Sequence, residues 1–375
     1  MFKQVGIALL AVLLYYGVKI FLFMDYQVHY KKHHPGQCRP VEGQDFGSED
    51  FQVTEEGLAF ITSGFNWNVS SSSYKEFLKE KNIKGKILLF DLKNPEQGAV
   101  VLKIRPTDQF NVYTFGPHGI SVLEDKVKGQ HILYVVNHQV SAPDRVEKFR
   151  YDPTTKELVH LKYFTSDLFR LTNDLAVVEE DQFYISNYMY FKVPALNILE
   201  SLLPLPLGSV VFYNGTGFET VIPQLTGPNG ITLSKDQRYL YVNFPLLKRV
   251  GVWERKEDKR LVPVQMLNLR SAIDNSHLSS SGQGLFLGAH PIVHKVFDHL
   301  EEPKNIAPSS VLYVPLMPDG KMAAEDEVIE LFYDHGDLIT GSTIATVYNN
   351  KLLIGSIIHK LVICELNGQV LPDGV

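Results

Sequence analysis

The feature that most constrains this chain is a repeated layout: a small polar lead-in, a short apolar strand, a turn and a second strand. Gly57-Leu58-Ala59-Phe60-Ile61 leads to Lys86-Ile87-Leu88-Leu89-Phe90-Asp91, and His118-Gly119-Ile120 leads to Leu133-Tyr134-Val135-Val136-Asn137-His138. Asn173-Asp174-Leu175-Ala176 leads to Phe183-Tyr184-Ile185-Ser186-Asn187, and Asn229-Gly230-Ile231 to Leu240-Tyr241-Val242-Asn243. Asp274-Asn275 and Gly341-Ser342-Thr343-Ile344-Ala345 begin two more units, ending at Leu285-Phe286-Leu287-Gly288 and Leu352-Leu353-Ile354-Gly355. About six antiparallel units, spaced by roughly 45 to 70 residues, read as an all-β, six-bladed β-propeller. A pair of β-sandwiches is the alternative. The regular polar lead-ins favour the propeller, because its blades aim equivalent positions at one axis.

Convergence of the lead-ins would bring Glu49, Asn173, Asn229, Asp274 and Asn275 together. Two carboxylates and three amide oxygens form an all-oxygen set, which suits calcium and not zinc. Asp50 and Asp174 neighbour two of these residues and should point elsewhere, toward a second ion joined by the carbonyl of Ile120. An isolated Asn-Asp pair is ordinarily a turn, since both side chains bond their own backbone; recurrence is what lifts this one. His118, His138 and His290 stand at strand ends, where a lone histidine is ordinarily a surface or hydrogen-bonded residue. Two in one blade, His118 and His138, can instead form a proton relay beside a metal. The chain has no G-x-S-x-G elbow, P-loop or HExxH. Hydrolysis would therefore use an activated water and an ion that polarises the carbonyl.

Residues 5–24 are apolar apart from Lys19, a run of about twenty that is long enough to span a bilayer. It ends in Phe21-Leu22-Phe23-Met24, without a small-x-small cleavage site, which favours an uncleaved signal-anchor over a cleaved signal peptide. The expected organisation is a tail and anchor over 1–27, a basic stalk over 28–37 and the propeller over 38–375. Lys31 and Lys32 after the run mildly favour a cytoplasmic propeller. The sequons at Asn68 and Asn214 point the other way, to an oxidising compartment. Cys38 and Cys364 are two free thiols in a reducing compartment, or a bond closing nearly the whole chain in an oxidising one. A net charge of −6 gives no sign of a nucleic-acid partner. Residues 70–84 read as a surface loop or short helix. The leucine-rich 194–207 segment is either a buried connector helix or an apolar surface for a membrane or hydrophobic substrate.

Taken with Gly47-Ser48-Glu49-Asp50, Pro117-His118-Gly119-Ile120-Ser121 and Lys351-Leu352-Leu353-Ile354-Gly355, these motifs resemble the animal paraoxonases over about 38–366. That family comprises six-bladed, calcium-dependent lactonases and arylesterases. The resemblance implies a catalytic calcium at Glu49, Asn173, Asn229, Asp274 and Asn275, and a structural calcium at Asp50, Asp174 and the Ile120 carbonyl. It implies His118 and His138 as the acid/base pair, and a Cys38–Cys364 disulfide closing the first blade with a strand from the C-terminus. It also implies a retained leader, with the propeller in the endoplasmic reticulum lumen or at the cell surface. The expected function is a membrane-anchored hydrolase of lactones or aryl esters using two calcium ions. The second reading is a chaperone or accessory subunit for membrane proteins such as ion channels. Departures bear on that choice: Tyr188 and Met189 replace Asp-His, Ala289 a free cysteine and Phe286 a nearby Trp, and the 65–84 loop differs throughout. An open channel above Asn229 and Asp274 would favour the enzyme, and Tyr188 filling it the accessory role.

Overall fold

The strands explain the architecture through their burial. Tyr239–Phe244 is buried at every position, as are the middle residues of Lys86–Asp91. A strand apolar on both faces needs a neighbour on each side, and a radial stack of sheets supplies two. The computed structural model, which describes all residues except 1, 45, 67–70, 140, 141, 258, 259, 369, 370 and 372–375, is a six-bladed β-propeller. Its six sheets begin, in chain order, with Phe51–Val53, Pro117–Asp125, Leu171–Glu179, Ile231–Leu233, Ala272–Leu278 and Ser342–Tyr348; we number the blades 1 to 6 in that order. Blade 2 carries a fifth strand, Lys103–Arg105, which pairs in parallel with Glu157–Phe164. The core is divided into wedges between neighbouring blades. Phe60, Leu89 and Phe149 fill the gap between blades 1 and 2, and Tyr241, Val252 and Leu285 that between blades 4 and 5.

The ring closes in blade 6. Cys38–Pro40 pairs antiparallel with Val362–Glu365, Cys38 lies opposite Cys364, and the two are joined by a disulfide. This corrects the expected connectivity: an N-terminal strand completes the last blade, not a C-terminal strand the first. A closing strand from the far end of the chain makes both ends interdependent.

Among the described residues, four α-helices accompany the ring: α1 (Phe2–Phe23), α2 (Ser72–Glu80), α3 (Pro194–Leu202) and α4 (Val293–Glu301). The described part of the 70–84 segment, 71–84, contains α2. Ser71 caps it by accepting from the Tyr74 amide at 3.0 Å, and Tyr74 and Leu78 pack with Val296 of α4 and Ile357. The 194–207 segment resolves into α3, which begins with Pro194 at its first turn. Leu196, Ile198 and Leu199 are exposed. Its one buried helical residue is Glu200, whose carboxylate accepts from the Tyr190 and Phe191 amides. The segment is therefore an exposed apolar helix and not the buried connector. Residues 28–37 do not hang free: His33 bridges Tyr333 on the outer strand of blade 5, Tyr30 stacks on Tyr333, and Lys32 reaches Asp334 at 2.9 Å.

The disulfide closes a loop spanning 326 residues of sequence separation. Cys38→Ser is expected to lower unfolding stability by about 2–5 kcal/mol. The loss should be read as a shift in urea midpoint, and dithiothreitol should shift the wild type but not the variant. An unchanged midpoint would mean that hydrogen bonding alone holds the closing strand.

Candidate functional site

Four blades present their lead-ins to the axis through a break in the first ladder. The pairing register shifts between Pro117 and Ile120, between Thr172 and Leu175, between Ile273 and Ser276, and between Ser342 and Ile344. Such bulges bend the strand and re-aim side chains that regular alternation would send into the blade. Consecutive residues Asn173 and Asp174, or Asp274 and Asn275, thus escape the strand's two-residue period. Close backbone approach completes the hub. A Cβ on Gly119 would lie 2.5 Å from the Asp174 Cα, and one on Gly230 2.6 Å from the Asn275 Cα.

Glu49, Asn173, Asn229 and Asp274 line one cavity of about 110 Å³, together with His118 and His290. That is room for a few waters or a small reacting group. Asn275 joins them by donating from Nδ2 to Glu49 Oε1 at 2.9 Å. Tyr188, Phe65, Phe23, Leu246 and Phe297 form apolar wall. The cavity persists beside Tyr188, which lines it without filling it.

Four buried oxygens at this place lack any hydrogen-bond donor: Glu49 Oε2, Asn173 Oδ1, Asn229 Oδ1 and Asn275 Oδ1. Buried acceptors are ordinarily paired, so four from different blades converging unpaired call for a cation. With Asp274 they make an all-oxygen set bearing two carboxylates, the donor chemistry of a hard divalent ion such as calcium. No group of three or more His, Cys, Asp or Glu side chains is placed for a metal among the described residues. Amide oxygens supply most of the donors here.

Asp50 and Asp174 turn toward the other end of the axis. Asp50 accepts from the Phe51 and Ile120 amides, each at 2.8 Å. Asp174 accepts from the Leu175 amide at 2.7 Å and the Ile231 amide at 2.8 Å. Both line a second cavity of about 330 Å³ with Ile120 and Ser276. The Ile120 contact to Asp50 is through its amide. Burial raises the Glu49, Asp50 and Asp174 carboxyls well above their usual range, and the like charges of Asp274, Glu49 and Asp50, respectively, push in the same direction.

The two blade-2 histidines meet as the sequence suggested. His118 Nδ1 lies 2.8 Å from His138 Nε2, and His118 Nε2 lies 3.3 Å from Glu49 Oε1. Burial lowers His118 to about 4 and also lowers His138, so both rings are neutral at pH 7. His290 takes a different role, bonding Asp274 Oδ2 through Nε2 at 2.9 Å. The sequence reading missed Asp144, whose Oδ1 lies 3.1 Å from His138 Nδ1. It sits in the turn between Gln130–Asn137 and Arg145–Asp152, where no periodicity marks it. Asn214 forms the tip of a turn in blade 3, its Oδ1 accepting from the Thr216 and Gly217 amides. Asn68 lies outside the described residues.

A family model described as Arylesterase matches residues 30–366. The chain belongs to the arylesterase family. Human serum paraoxonase/arylesterase 1 is 34% identical over 330 residues, covering 88% of each chain. Rat serum paraoxonase/lactonase 3 is 33% identical over 332 residues, covering 88% of this chain and 89% of its own. Among solved structures, a regucalcin from Agrobacterium tumefaciens, described as a calcium-binding protein, superposes with a TM-score of 0.50 at 12% identity, over 90% of this chain and 96% of its own. A luciferin-regenerating enzyme gives 0.51 at 8% identity, over 89% and 96%. These two likenesses bear on the fold alone. For this arylesterase-family chain the hub therefore combines a propeller axis, unpaired oxygens and a histidine pair.

A raised folded-state pKa contributes stability below the unfolded value and loses it as pH rises through the folded value. In chelator-treated protein, Glu49→Gln is accordingly expected to match wild type near pH 4. It should exceed wild type by ~1 kcal/mol or more at pH 8, read from urea unfolding at each pH. A difference that does not change with pH would show that Glu49 carries no such cost.

Proposed function

We propose that this chain is a membrane-anchored, calcium-dependent hydrolase of lactones or aryl esters. The observation that carries the reading is the convergence of unpaired buried oxygens and a neutral histidine pair on one apolar-walled cavity. The names of the relatives, arylesterase and lactonase, support the reaction class. Glu49, Asn173, Asn229, Asp274 and Asn275 would hold the catalytic calcium, and Asp50, Asp174 and Ile120 a second, structural ion. When bound, the catalytic ion supplies a Lewis acid for the ester carbonyl and a counter-charge for the oxyanion. The chain's own part is proton handling. His118 faces the cavity and, being neutral at pH 7, can accept a proton from water. His138 takes the proton that His118 releases from its other nitrogen and returns it for the leaving alkoxide or aryloxide. Tyr188, Phe65 and Phe297 keep the cavity walls apolar, which suits an uncharged ester.

The anchor is α1, whose stretch Gln4–Phe23 is long and apolar enough to cross a bilayer. The disulfide supports placing the propeller on the lumenal or extracellular side, where Asn214 and Asn68 would be glycosylated. The exposed leucines of α3 would rest on the same membrane.

Turnover of phenyl acetate and of an aliphatic lactone by the full chain in detergent is expected to vanish with chelator and return with calcium. His118→Gln should lower kcat by about 10²–10⁴-fold. A calcium-loaded wild type without turnover would overturn the hydrolase reading in favour of the accessory-subunit role. Separately, a chain lacking residues 1–23 should retain weak binding to anionic vesicles, and the pair Ile198→Asp, Leu199→Asp should abolish it in a flotation assay. Equal flotation of both would remove α3 from the membrane contact.

A further inference from the structure

We propose that Asp25, just beyond the end of α1, is a positioning residue for the apolar wall of the cavity. It fastens the end of α1 to two elements that carry that wall, so the cavity keeps its shape only while α1 is docked. The inference rests on the hydrolase reading for its kinetic consequence, but the docking itself stands apart from turnover.

Asp25 is 4% exposed, and its two carboxylate oxygens reach different blades. Oδ1 lies 2.5 Å from Lys248 Nζ, in the connection between the second and third strands of blade 4. Oδ2 accepts from the Val293 amide at 3.2 Å, at the start of α4 in blade 5. The next amide of α4, that of His294, donates to the Met24 carbonyl at 3.1 Å, and the His294 ring Nδ1 lies 2.8 Å from the same oxygen. The first amides and the last carbonyls of a helix have no partner within it. Ile292, the residue before α4, makes no side-chain cap. The end of α1 supplies that cap, and each helix end satisfies the other.

These contacts coincide with the cavity. Phe23 of α1, Pro245 and Leu246 beside Lys248, and Val293, Val296 and Phe297 of α4 all line it. One carboxylate thus joins three pieces of one wall. A cap for α4 would need only the Val293 amide; the ion pair reaches across to the neighbouring blade. The backbone is committed to this junction on both sides. Asp25 (φ 61°) and Lys248 (φ 53°) lie in the left-handed region, which aspartate visits more readily than a long side chain such as lysine. Lys248 ends the 3₁₀ turn Pro245–Leu247, its amide donating to the Pro245 carbonyl at 3.2 Å. In that conformation its Nζ meets Asp25 and lies over the Phe23 ring, 5.6 Å from the centroid.

Removing either charge breaks the junction. Without Lys248, Asp25 is a buried anion left with the Val293 amide, which is costly, and water becomes the better partner. Its departure draws Phe23 out of the wall and uncaps α4. A small ester is then held less well, and a larger one is rejected less.

The test uses the full chain in detergent with calcium. Asp25→Asn keeps a residue that tolerates the left-handed backbone, and Lys248→Met removes the partner charge. Hydrogen exchange over residues 291–296, read by mass spectrometry, should quicken at least about tenfold in both, although Lys248 belongs to the neighbouring blade. Gln130–Asn137, across the ring in blade 2, should exchange as in wild type, which separates undocking from unfolding. Lys248→Arg should restore the wild-type rate. For phenyl acetate, KM should rise about tenfold in both variants, with kcat falling less than KM rises, and 2-naphthyl acetate should gain about tenfold in kcat/KM relative to phenyl acetate. Lys248→Arg should recover both parameters. If wild type proves inactive, the hydrolase reading fails, and exchange alone decides this inference. Exchange over 291–296 that stays at the wild-type rate in either variant, or that quickens together with Gln130–Asn137 in both, would overturn it. So would an active, undocked variant whose KM and size preference match wild type.

Discussion

The constraint on which the rest of the structure depends is the crowding of acceptor oxygens along a buried axis. Glu49, Asp50, Asp174 and Asp274 are all less than 8% exposed, and burial disfavours the charges of Glu49, Asp50 and Asp174. A fold can tolerate that only if the surrounding packing is large and unyielding. The wedges of aliphatic and aromatic residues between blades provide it, because each blade buries both faces. The closing strand at Cys38 then keeps the ring from opening where those unpaired oxygens would gain water.

Bulges at the start of several blades turn this constraint into two separate sites. In a regular strand, neighbours such as Asn173 and Asp174 point to opposite faces of the sheet. With the register broken between Thr172 and Leu175, they point to opposite ends of the axis instead. Asn173 faces the cavity with His118, while Asp174 bonds the amides of Leu175 and Ile231 at the far end. Glu49 and Asp50 divide in the same way. The lead-ins of blades 1 and 3 therefore serve both ends.

Much of this was legible because the lead-ins interrupt apolar strands with groups that have no reason to be buried unless they meet something. Six such interruptions on a regular spacing imply an axis, and His118 and His138 belong to one unit. Three things were not legible. Which blade the Cys38 strand completes depends on the direction in which the ring closes, and hydrophobic pattern is the same either way. Asp144 lies 3.1 Å from a residue only six positions away, His138, a proximity that no periodicity encodes. Residues 28–37 read as a stalk because they are basic. They dock on blade 5 through stacking and ion pairs, Tyr30 on Tyr333 and Lys32 on Asp334, whose partners lie some 300 residues downstream.

The departures at Tyr188 and Met189 acquire a physical reason at the mouth of the cavity. Both pack with Leu171 and Leu246 around Phe23, the last residue of α1. Just beyond it, Asp25 is 4% exposed, with Oδ1 2.5 Å from Lys248 Nζ and Oδ2 accepting from the Val293 amide at 3.2 Å. Tyr26 stacks on His294, whose amide donates to the Met24 carbonyl at 3.1 Å. A carboxylate and an imidazole at 188 and 189 would leave the Phe23 ring against polar groups and would themselves lose water without gaining partners. An aromatic and a thioether make an apolar seat there instead. The end of α1, through Phe23, thus forms part of the wall of the site.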